Sequence, residues 1–469
     1  MSTAGVFGGS SLLLMPNSAE AAVTPFTIPL GIPPVLAPTS STSTTDYYNL
    51  QMYESTAQII PGLSTRIIGF NGITPGPTIR ARTGRQVVMT HYNGLPATTL
   101  GGAPGKMSVH LHGAHVPPEE DGYPTDYIHP GTSRAYTYDN NQIPAPLWYH
   151  DHAMDYTGPH VWYGMAGIYL MTDSLEEGLG LPSGAYEVPL LLQDRNFNSS
   201  GQLVYTRNMA GETGDTMLVN GTIQPYLNVA NRRYRFRIYN GSNARFYRLA
   251  LSNGQSFQVL GMEGGLLQAP VTVTSLTLAP AERADIIINF GSLAVGTRVE
   301  LRNTLVGSSS SVYKIMRFDV NRTETDPSTV PSMLRPFTRL NPTQAVTTRN
   351  FTLSGGMMRR PWTINGNLFS ESRIDAYPKL NTTEIWNFRN MSMANHPVHI
   401  HDVMFQILDI NGRAPAATHA GWKDTVVVPA RGNARIIAKF TDYTGKYVFH
   451  CHNLEHEDMA MMANFQVIP

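Results

Sequence analysis

QPYLNVANRRYRFRIYN, residues 224–240, follows the turn Asn220-Gly221, and this pattern occurs three times along the chain. Asn71-Gly72 precedes PGPTIRARTGRQVVMTHYN (75–93), and Asn365-Gly366 precedes IDAYPKLNTTEIWNFRN (374–390). Each copy has a turn, a strand, a polar gap, a second strand and a final asparagine. A period of about 150 residues is too long for a solenoid, so the repeat predicts three related domains.

The composition is typical of an all-β protein. The chain has 469 residues, enough for three domains, with 41 glycines, 33 prolines and only 14% charged residues. Its 34 acidic and 34 basic residues balance, which argues against nucleic acid or an anionic membrane surface as the main partner. No apolar run is long enough to span a bilayer, and a single cysteine excludes an internal disulfide framework.

Short alternating runs predict the strands of β-sandwiches, for example at residues 86–93, 233–240, 284–290 and 434–440. Helical periodicity is weak throughout. The predicted domains extend over residues 46–175, 176–335 and 336–469.

Residues 1–45 are predicted to be a tail or linker. GIPPVLAPTSSTSTT (31–45) is rich in proline, serine and threonine, as in a tether. The segment before it has a short apolar run and the pattern Ala19-Glu20-Ala21, but it lacks the basic region of a signal peptide. It fits either a flexible tail or a truncated export signal, and the second alternative predicts an extracytoplasmic or secreted protein.

The histidines point to metal binding. Fifteen are present and none lies between His160 and His396, so the middle domain cannot bind metal through imidazole. Eight others form four H-x-H pairs, and on a strand both members of such a pair share one face. A lone pair is usually surface or core histidine, but four pairs in two repeats predict a metal cluster. The pairs are His110/His112, His150/His152, His399/His401 and His450/His452.

The third repeat resembles the first in detail. LWYHDHAM (147–154) aligns with YVFHCHNL (447–454), which places Asp151 at the position of Cys451. The same alignment puts Tyr156 at the position of His456, and the alignment of VHLHG (109–113) with VHIHD (398–402) puts Met107 at that of His396. Pairs from the two domains that face each other would form a cluster at the interface, and eight imidazoles suit about three ions.

Cys451 points away from its two histidine neighbours if it lies on a strand, and so meets a different metal. Two histidines, one cysteine and a distant methionine are the ligands of a blue copper site, which predicts His396, Cys451, His456 and Met461. The alternative for a single cysteine is a buried structural thiol. Met459 and Met462 are close alternatives for the methionine ligand.

The chain resembles the multicopper oxidases. The four copper motifs of that family occur here in order: HLHG, WYHDH, HPVHIH and HCHNLEHEDMAMM. The resemblance covers nearly all of the chain beyond residue 46. It implies an all-β fold of three cupredoxin-like, Greek-key β-sandwich domains. WYHDHAM, GWKDT and HEDMAMM look most like the branch of bacterial spore-coat laccases and bilirubin oxidases.

The resemblance implies four copper ions, one of type 1, one of type 2 and two of type 3. The type 1 ion would be bound by His396, Cys451, His456 and Met461. The type 2 ion would be bound by His110 and His399. The type 3 pair would be bound by His112, His150, His152, His401, His450 and His452.

The resemblance also implies the reaction, in which phenols or aromatic amines lose one electron each at the type 1 site and O₂ is reduced to water by four electrons at the trinuclear cluster. The ring of His456 would receive the substrate's electron. Asp121 and Glu457 match positions associated with proton delivery to oxygen, although a loop acid is usually just solvated.

Alternatives differ in the reductant or in the class of protein. Bilirubin oxidase and cuprous oxidase keep the same chemistry, but the 21 methionines form no run of the kind that copper-resistance oxidases carry. Met357/Met358 and Met391/Met393 are the nearest approach to a cluster, and they are predicted to be core or gap-filling residues. A cupredoxin that only carries electrons or stores copper would need no set of eight paired histidines. A two-domain nitrite reductase also lacks that set.

Overall fold

The computed structural model describes residues 23–356 and 360–469, and its strands fall into three consecutive groups. The first group is β1 Ser40–Ser41, β2 Thr45–Ala57, β3 Thr65–Phe70, β4 Gly76–Arg82, β5 Gln86–Asn93, β6 Val109–His112, β7 Ser133–Tyr138, β8 Pro146–Asp151 and β9 Ala166–Thr172.

The second group is β10 Glu187–Phe197, β11 Leu203–Val204, β12 Thr216–Val219, β13 Thr222–Ile223, β14 Tyr226–Ala230, β15 Arg233–Asn240, β16 Tyr247–Leu251, β17 Phe257–Met262, β18 Gly265–Val273, β19 Ser275–Leu278, β20 Arg283–Asn289, β21 Arg298–Asn303 and β22 Lys314–Arg322. The third group is β23 Ala345–Ser354, β24 Thr363–Ile364, β25 Thr383–Asn390, β26 His396–Ile400, β27 Phe405–Ile410, β28 Thr425–Val428, β29 Asn433–Lys439, β30 Gly445–Cys451 and β31 Met462–Val467.

Helices are short. The α-helices in the described part of the chain are α1 Thr157–Tyr163, α2 Ser174–Glu177 and α3 Leu454–Asp458. None of the described helices has the length and apolar character needed to cross a membrane. Single 3₁₀ turns lie at Leu100–Gly102, Pro118–Glu120, Gly184–Tyr186, Pro342–Gln344 and Ala417–His419.

Each group of strands forms two sheets that enclose its own buried apolar core. In the first group, β1-β2-β5-β7 (with β3 on β2) is one sheet and β4-β9-β8-β6 the other. The third group repeats this plan with β24-β23-β25-β29-β27 and β28-β26-β30-β31. The second group has β13-β12-β10-β15-β20-β17-β18 (with β11 on β10) and β14-β22-β21-β16-β19. The predicted all-β fold of three cupredoxin-like sandwiches is confirmed, and the predicted boundaries near residues 176 and 335 fall between the groups.

The repeated Asn-Gly turns make the same hydrogen bond in each domain. Asn71, Asn220 and Asn365 have φ of 52°, 52° and 53°, in the left-handed region that asparagine tolerates. Each side-chain oxygen accepts a 2.8 Å hydrogen bond from a main-chain N–H of the domain's first long strand. That strand pairs in parallel with the second strand of the repeat, in the pairs β2–β5, β10–β15 and β23–β25.

The asparagine that ends each repeat is buried and joins two loops. Asn93, Asn240 and Asn390 each donate from Nδ2 to two main-chain carbonyls and accept from the N–H two residues further on. A buried amide that satisfies three loop groups fixes the chain after the strand. In the third domain this asparagine lies just before His396.

Residues 31–45, predicted as a tether, lie along the first two domains. Just before them, the Leu30 N–H donates to the Tyr226 carbonyl of the second domain. Within them, Leu36 N–H donates to Thr78 of the first domain, and β1 pairs with β2. Proline removes some N–H donors here, and several of the remaining ones, those of Leu36, Thr39 and Thr42, donate to main-chain carbonyls.

Gly366 offers a test of the repeated turn, because its φ is +76° and an added Cβ would meet nothing within 4 Å. Gly366→Ala should lower the free energy of unfolding by about 1 kcal/mol, since only backbone strain changes. Urea unfolding of the copper-free protein measures this. The matched control is Gly307→Ala, an exposed glycine without positive φ, which should leave stability unchanged or slightly raised. Equal effects of the two substitutions would contradict the role of the turn.

Candidate copper centres

Two strand pairs with the same register carry the H-x-H motifs, although His152, His401 and His452 lie one residue past the ends of β8, β26 and β30. In the first domain His110 of β6 lies opposite His150 of β8. In the third domain His399 of β26 lies opposite His450 of β30. One step along, Asp151 faces Val109 just as Cys451 faces Val398, so the predicted alignment of the two repeats is confirmed.

The eight paired histidines meet at the interface of the first and third domains, and all are buried. Nitrogens within 4.8 Å of one another define three sets that could each hold an ion. These sets are His112/His150/His452, His152/His401/His450 and His110/His399/His401. Two of these sets hold the six histidines that the family resemblance implies for the type 3 pair, and the third joins the implied type 2 ligands His110 and His399 to His401, which two sets share. The binding of each ion stays a prediction.

The second of these sets is the tightest. The Nε2 atoms of His152, His401 and His450 lie 3.1–3.2 Å apart in a triangle. Three imidazole nitrogens that face one another cannot all be satisfied by mutual hydrogen bonds, because a neutral ring has only one N–H. A bound cation satisfies all three, so the arrangement fits a metal ion.

The first set supports the same conclusion through unsatisfied atoms. His112 Nδ1, His150 Nε2 and both ring nitrogens of His452 are buried without a hydrogen-bond partner among the described residues. A buried polar atom left unpaired costs about 1–3 kcal/mol, so three such rings together fit a site built for an ion. Across the cluster, His110 and His399 bring their Nε2 atoms within 3.4 Å.

Main-chain carbonyls fix the tautomers of three cluster histidines. His110 Nδ1 lies 2.6 Å from the Asp121 carbonyl, His150 Nδ1 lies 2.8 Å from the Asp151 carbonyl, and His399 Nδ1 lies 2.9 Å from the Asp424 carbonyl. A carbonyl only accepts, so each Nδ1 carries the proton and each Nε2 is free for a metal.

Two carboxylates lie against the Nδ1 atoms of three more cluster histidines. Asp121 Oδ2 lies 2.8 Å from His401 Nδ1. Glu457 bridges two histidines, with His450 Nδ1 at 3.1 Å and His152 Nδ1 at 3.3 Å. Both acids are buried, so neither is the solvated loop acid that its position in the sequence could suggest.

Burial keeps most of these imidazoles neutral. Burial lowers the pKa of His152 to about 4, although the Glu457 carboxylate partly opposes the shift. Burial, followed by the neighbouring histidines, lowers the pKa of five further rings well below the ordinary value: His112, His150, His399, His401 and His452. Neutral imidazole is the form that binds metal, so the cluster is prepared for cations.

Asp424 is a site residue that the sequence reasoning missed, although it lies in the quoted motif GWKDT. Its carbonyl holds His399, and its Oδ1 lies 3.3 Å from His112 Nε2. Arg283 of the second domain donates to both carboxylate oxygens, at 2.9 and 2.6 Å. The pair therefore ties the second domain to two rings of the cluster.

The thiol site lies on the opposite face of β30, as strand alternation predicts. Cys451 Sγ lies 3.3 Å from His396 Nδ1 and 3.4 Å from His456 Nδ1. Burial raises the pKa of the Cys451 thiol well above its ordinary range. A coordinating metal displaces that proton, so this donor set fits copper bound as a thiolate.

Packing favours Met461 as the fourth ligand. Cys451 and Met461 belong to the same buried cluster of the third domain, whereas Met462 packs with Tyr123 and Val448. Main-chain hydrogen bonds join Met461 to both neighbours, from Cys451 N–H to its carbonyl and from its N–H to the His456 carbonyl. Met459 is half-buried at the edge of the cluster.

The equivalent place in the first domain is occupied by a hydrogen-bonded carboxylate. Asp151 Oδ2 lies 2.7 Å from His160 Nδ1, and Oδ1 accepts from the Ser108 N–H. His152 and His452 nevertheless occupy matching places, since each N–H donates at 2.6 Å to the equivalent residue, Ser108 or Pro397. The first domain thus keeps the frame of the paired histidines without a thiol site.

Comparison with known proteins agrees with this geometry. Family models described as multicopper oxidase match residues 51–176, 180–297 and 341–469. A laccase of Bacillus subtilis (strain 168) is 36% identical, over 92% of this chain and 96% of that protein. A bilirubin oxidase of Albifimbria verrucaria is 35% identical, over 94% and 81%. The crystal structure of a laccase from Pediococcus acidilactici superposes with a TM-score of 0.87 at 32% identity, covering 94% of both chains.

The chain therefore belongs to the multicopper oxidase family. It is a copper-dependent oxidoreductase whose cofactor is four copper ions, one of type 1, one of type 2 and two of type 3.

Replacing the methionine ligand should change the redox potential without removing the colour. Met461→Leu should retain the visible thiolate–copper absorption and raise the type 1 potential, because loss of a thioether donor disfavours Cu(II). A redox titration of the copper-loaded protein measures this, with Met459→Leu and Met462→Leu as matched controls that should leave the potential unchanged. A shift in either control instead of in Met461→Leu would reassign the ligand.

Proposed function

We propose that the protein is a laccase-type oxidase that takes single electrons from phenols and aromatic amines and reduces O₂ to water. The observation that carries the proposal is the position of Cys451 between His450 and His452 at the end of β30, which joins a thiol site to a histidine cluster. Relatives named as laccases support this choice of substrate.

Bound copper would supply the redox chemistry, and the residues of the chain hold the metal ions in position. Bound copper would supply one-electron exchange at the thiol site and oxygen reduction at the histidine cluster. The main chain from Cys451 to His450 and His452 supplies a short covalent path between the two sites. Four electrons are needed for each O₂, so the linked sites allow single-electron donors to serve a four-electron reaction.

Asp121 and Glu457 are proposed to handle the protons that oxygen reduction consumes. Each is buried, and each has a carboxylate oxygen close to a cluster imidazole, at 2.8 Å for Asp121 with His401 and 3.1 Å for Glu457 with His450. The histidines hold the pKa of Glu457 well below its usual range, although burial opposes the shift, so this group is ionised. An ionised carboxylate beside the cluster can accept a proton from solvent and pass it on toward the histidines.

Cuprous ion is the second candidate substrate, and exposed methionines favour it. Met391 and Met393 are 41% and 65% exposed, so the prediction that this pair is core or gap-filling is wrong. They flank Ser392, whose hydroxyl lies 2.8 Å from His396 Nε2. Thioethers on the surface beside the type 1 site are soft ligands suited to Cu(I). Met357 and Met358 lie outside the described residues.

Bilirubin stays as an alternative because one relative is named bilirubin oxidase. An extracytoplasmic or secreted location is likewise a proposal, and it depends on the export-signal pattern of the N-terminal sequence.

Oxygen consumption with a phenol, bilirubin and Cu(I) in parallel tests the proposal. The copper-loaded protein should oxidise the phenol with the highest kcat/KM, consume one O₂ for four phenols and release no hydrogen peroxide. Cys451→Ser is the control, and it should lose both the visible colour and turnover with every donor. Peroxide as the product, or phenol oxidation that survives in Cys451→Ser, would contradict the proposal.

Glu457→Gln should separate the two half-reactions. Anaerobic bleaching of the type 1 colour by the phenol should proceed at the normal rate. Reoxidation by O₂ should slow by about a hundredfold, because an amide can neither accept a proton nor pass it on. Stopped-flow absorption follows both steps in one sample. Reoxidation as fast as in the unchanged protein would exclude the proton role of this carboxylate.

A further inference from the structure

The ring of His456, predicted to receive electrons directly, does not reach the surface. Its side chain is buried, and the indole of Trp362 covers it with ring centroids 4.0 Å apart and a 34° tilt. The same indole meets the His396 ring edge-on at 5.1 Å. Trp362 is itself only 5% exposed, so one aromatic ring separates both type 1 histidines from solvent on this side.

Trp362 is held firmly in this position. Its Nε1–H donates a 2.9 Å hydrogen bond to the Met209 carbonyl of the second domain. On another side the indole packs against Gly356, where an added Cβ would lie 2.0 Å from the ring. A side chain held by a hydrogen bond and by close packing keeps one rotamer, so its contact with His456 is a fixed feature of the fold.

A loop of the second domain, residues 205–212, completes the cover. Glu455, next to His456, accepts hydrogen bonds from the Tyr205 hydroxyl at 3.1 Å and from the Glu212 N–H at 2.8 Å. Asn453 Nδ2 donates to the Ala210 carbonyl at 3.2 Å. Residues 206–210 are exposed, and Met209 is 47% exposed. The domain without paired histidines therefore supplies the outer surface of the thiol site.

We propose that the substrate's electron reaches His456 across the indole of Trp362, and that Trp362 with loop 205–212 decides which donors can reduce the type 1 site. This inference rests on the proposed function. A phenol that docks at this surface loses one electron and its hydroxyl proton, which passes to solvent. Copper held by His396, Cys451, His456 and Met461 would accept this electron, and the indole serves as a contact that is not itself oxidised.

The geometry gives this role a physical basis. Electron transfer is faster through packed atoms than across a water-filled gap, and the stacked rings form a continuous packed contact. The indole also keeps water from the type 1 ligands, and an apolar surround of this kind sets the redox potential of a metal site. Removal of the ring therefore has two separate consequences, one on the rate and one on the potential.

The test compares Trp362→Ala with Trp362→Phe in the copper-loaded protein. The donor is hexacyanoferrate(II), a rigid complex too broad to enter the space that an indole leaves. Anaerobic bleaching of the type 1 colour should slow about tenfold in Trp362→Ala, as expected when a contact is lost by a small displacement. Trp362→Phe keeps a ring over His456, and its rate should stay near that of the unchanged protein. A small phenol should lose less rate in Trp362→Ala, since it can occupy the space itself.

The type 1 potential is the second readout. It should fall in Trp362→Ala, where water enters, and change little in Trp362→Phe. Thermal unfolding of each variant checks that the fold is retained, and Trp362→Leu replaces the alanine variant if that one does not load copper. An unchanged hexacyanoferrate(II) rate and potential in Trp362→Ala, or equal losses in the alanine and phenylalanine variants, would overturn the inference. Because bleaching is followed without O₂, this result is independent of whether the protein turns over phenols.

Discussion

The alternation of side chains along β30 is the constraint on which the rest of the structure depends. Three consecutive residues at the end of β30, His450, Cys451 and His452, direct two imidazoles into the histidine cluster and a thiol into the separate site. The two candidate metal sites are thereby joined through adjacent residues of the chain. The first domain must then face β26 and β30 with its own paired histidines, because neither domain alone has enough rings for the cluster.

Most copper ligands could be predicted from the sequence because their signal is local. A pair spaced by two residues reveals its face as soon as a strand is assigned, and the internal repeat supplied the partner pairs. The contacts that hold those ligands could not be predicted, because they join residues that lie far apart in the chain. Asp424 meets His112 of the first domain, Arg283 of the second domain meets Asp424, and Trp362 meets His456, and no periodicity connects these partners. The burial of Asp121 and Glu457 could not be predicted either, since burial depends on which distant parts of the chain pack against a side chain.

The middle domain shows how a domain without paired histidines takes part in the site. Arg283 anchors the carboxylate of Asp424 under the histidine cluster, and loop 205–212 covers the thiol site. Both contacts include charged or polar groups that are buried on association, and such groups are costly unless they are paired. The pairing therefore fixes the position of the second domain against both centres.

Asp151 explains why the first domain has no electron-accepting centre of its own. Asp151 has the same strand register as Cys451. Its carboxylate oxygens are hydrogen-bonded to the His160 ring and to the Ser108 N–H, so they are already occupied by protein donors. A carboxylate is also a hard ligand, whereas the single-electron copper site requires a soft thiolate. Tyr156 and Met107, at the positions of His456 and His396, offer no imidazole. Among the described residues the thiol site therefore lies at one end of the histidine cluster, and the covering indole of Trp362 lies at that end.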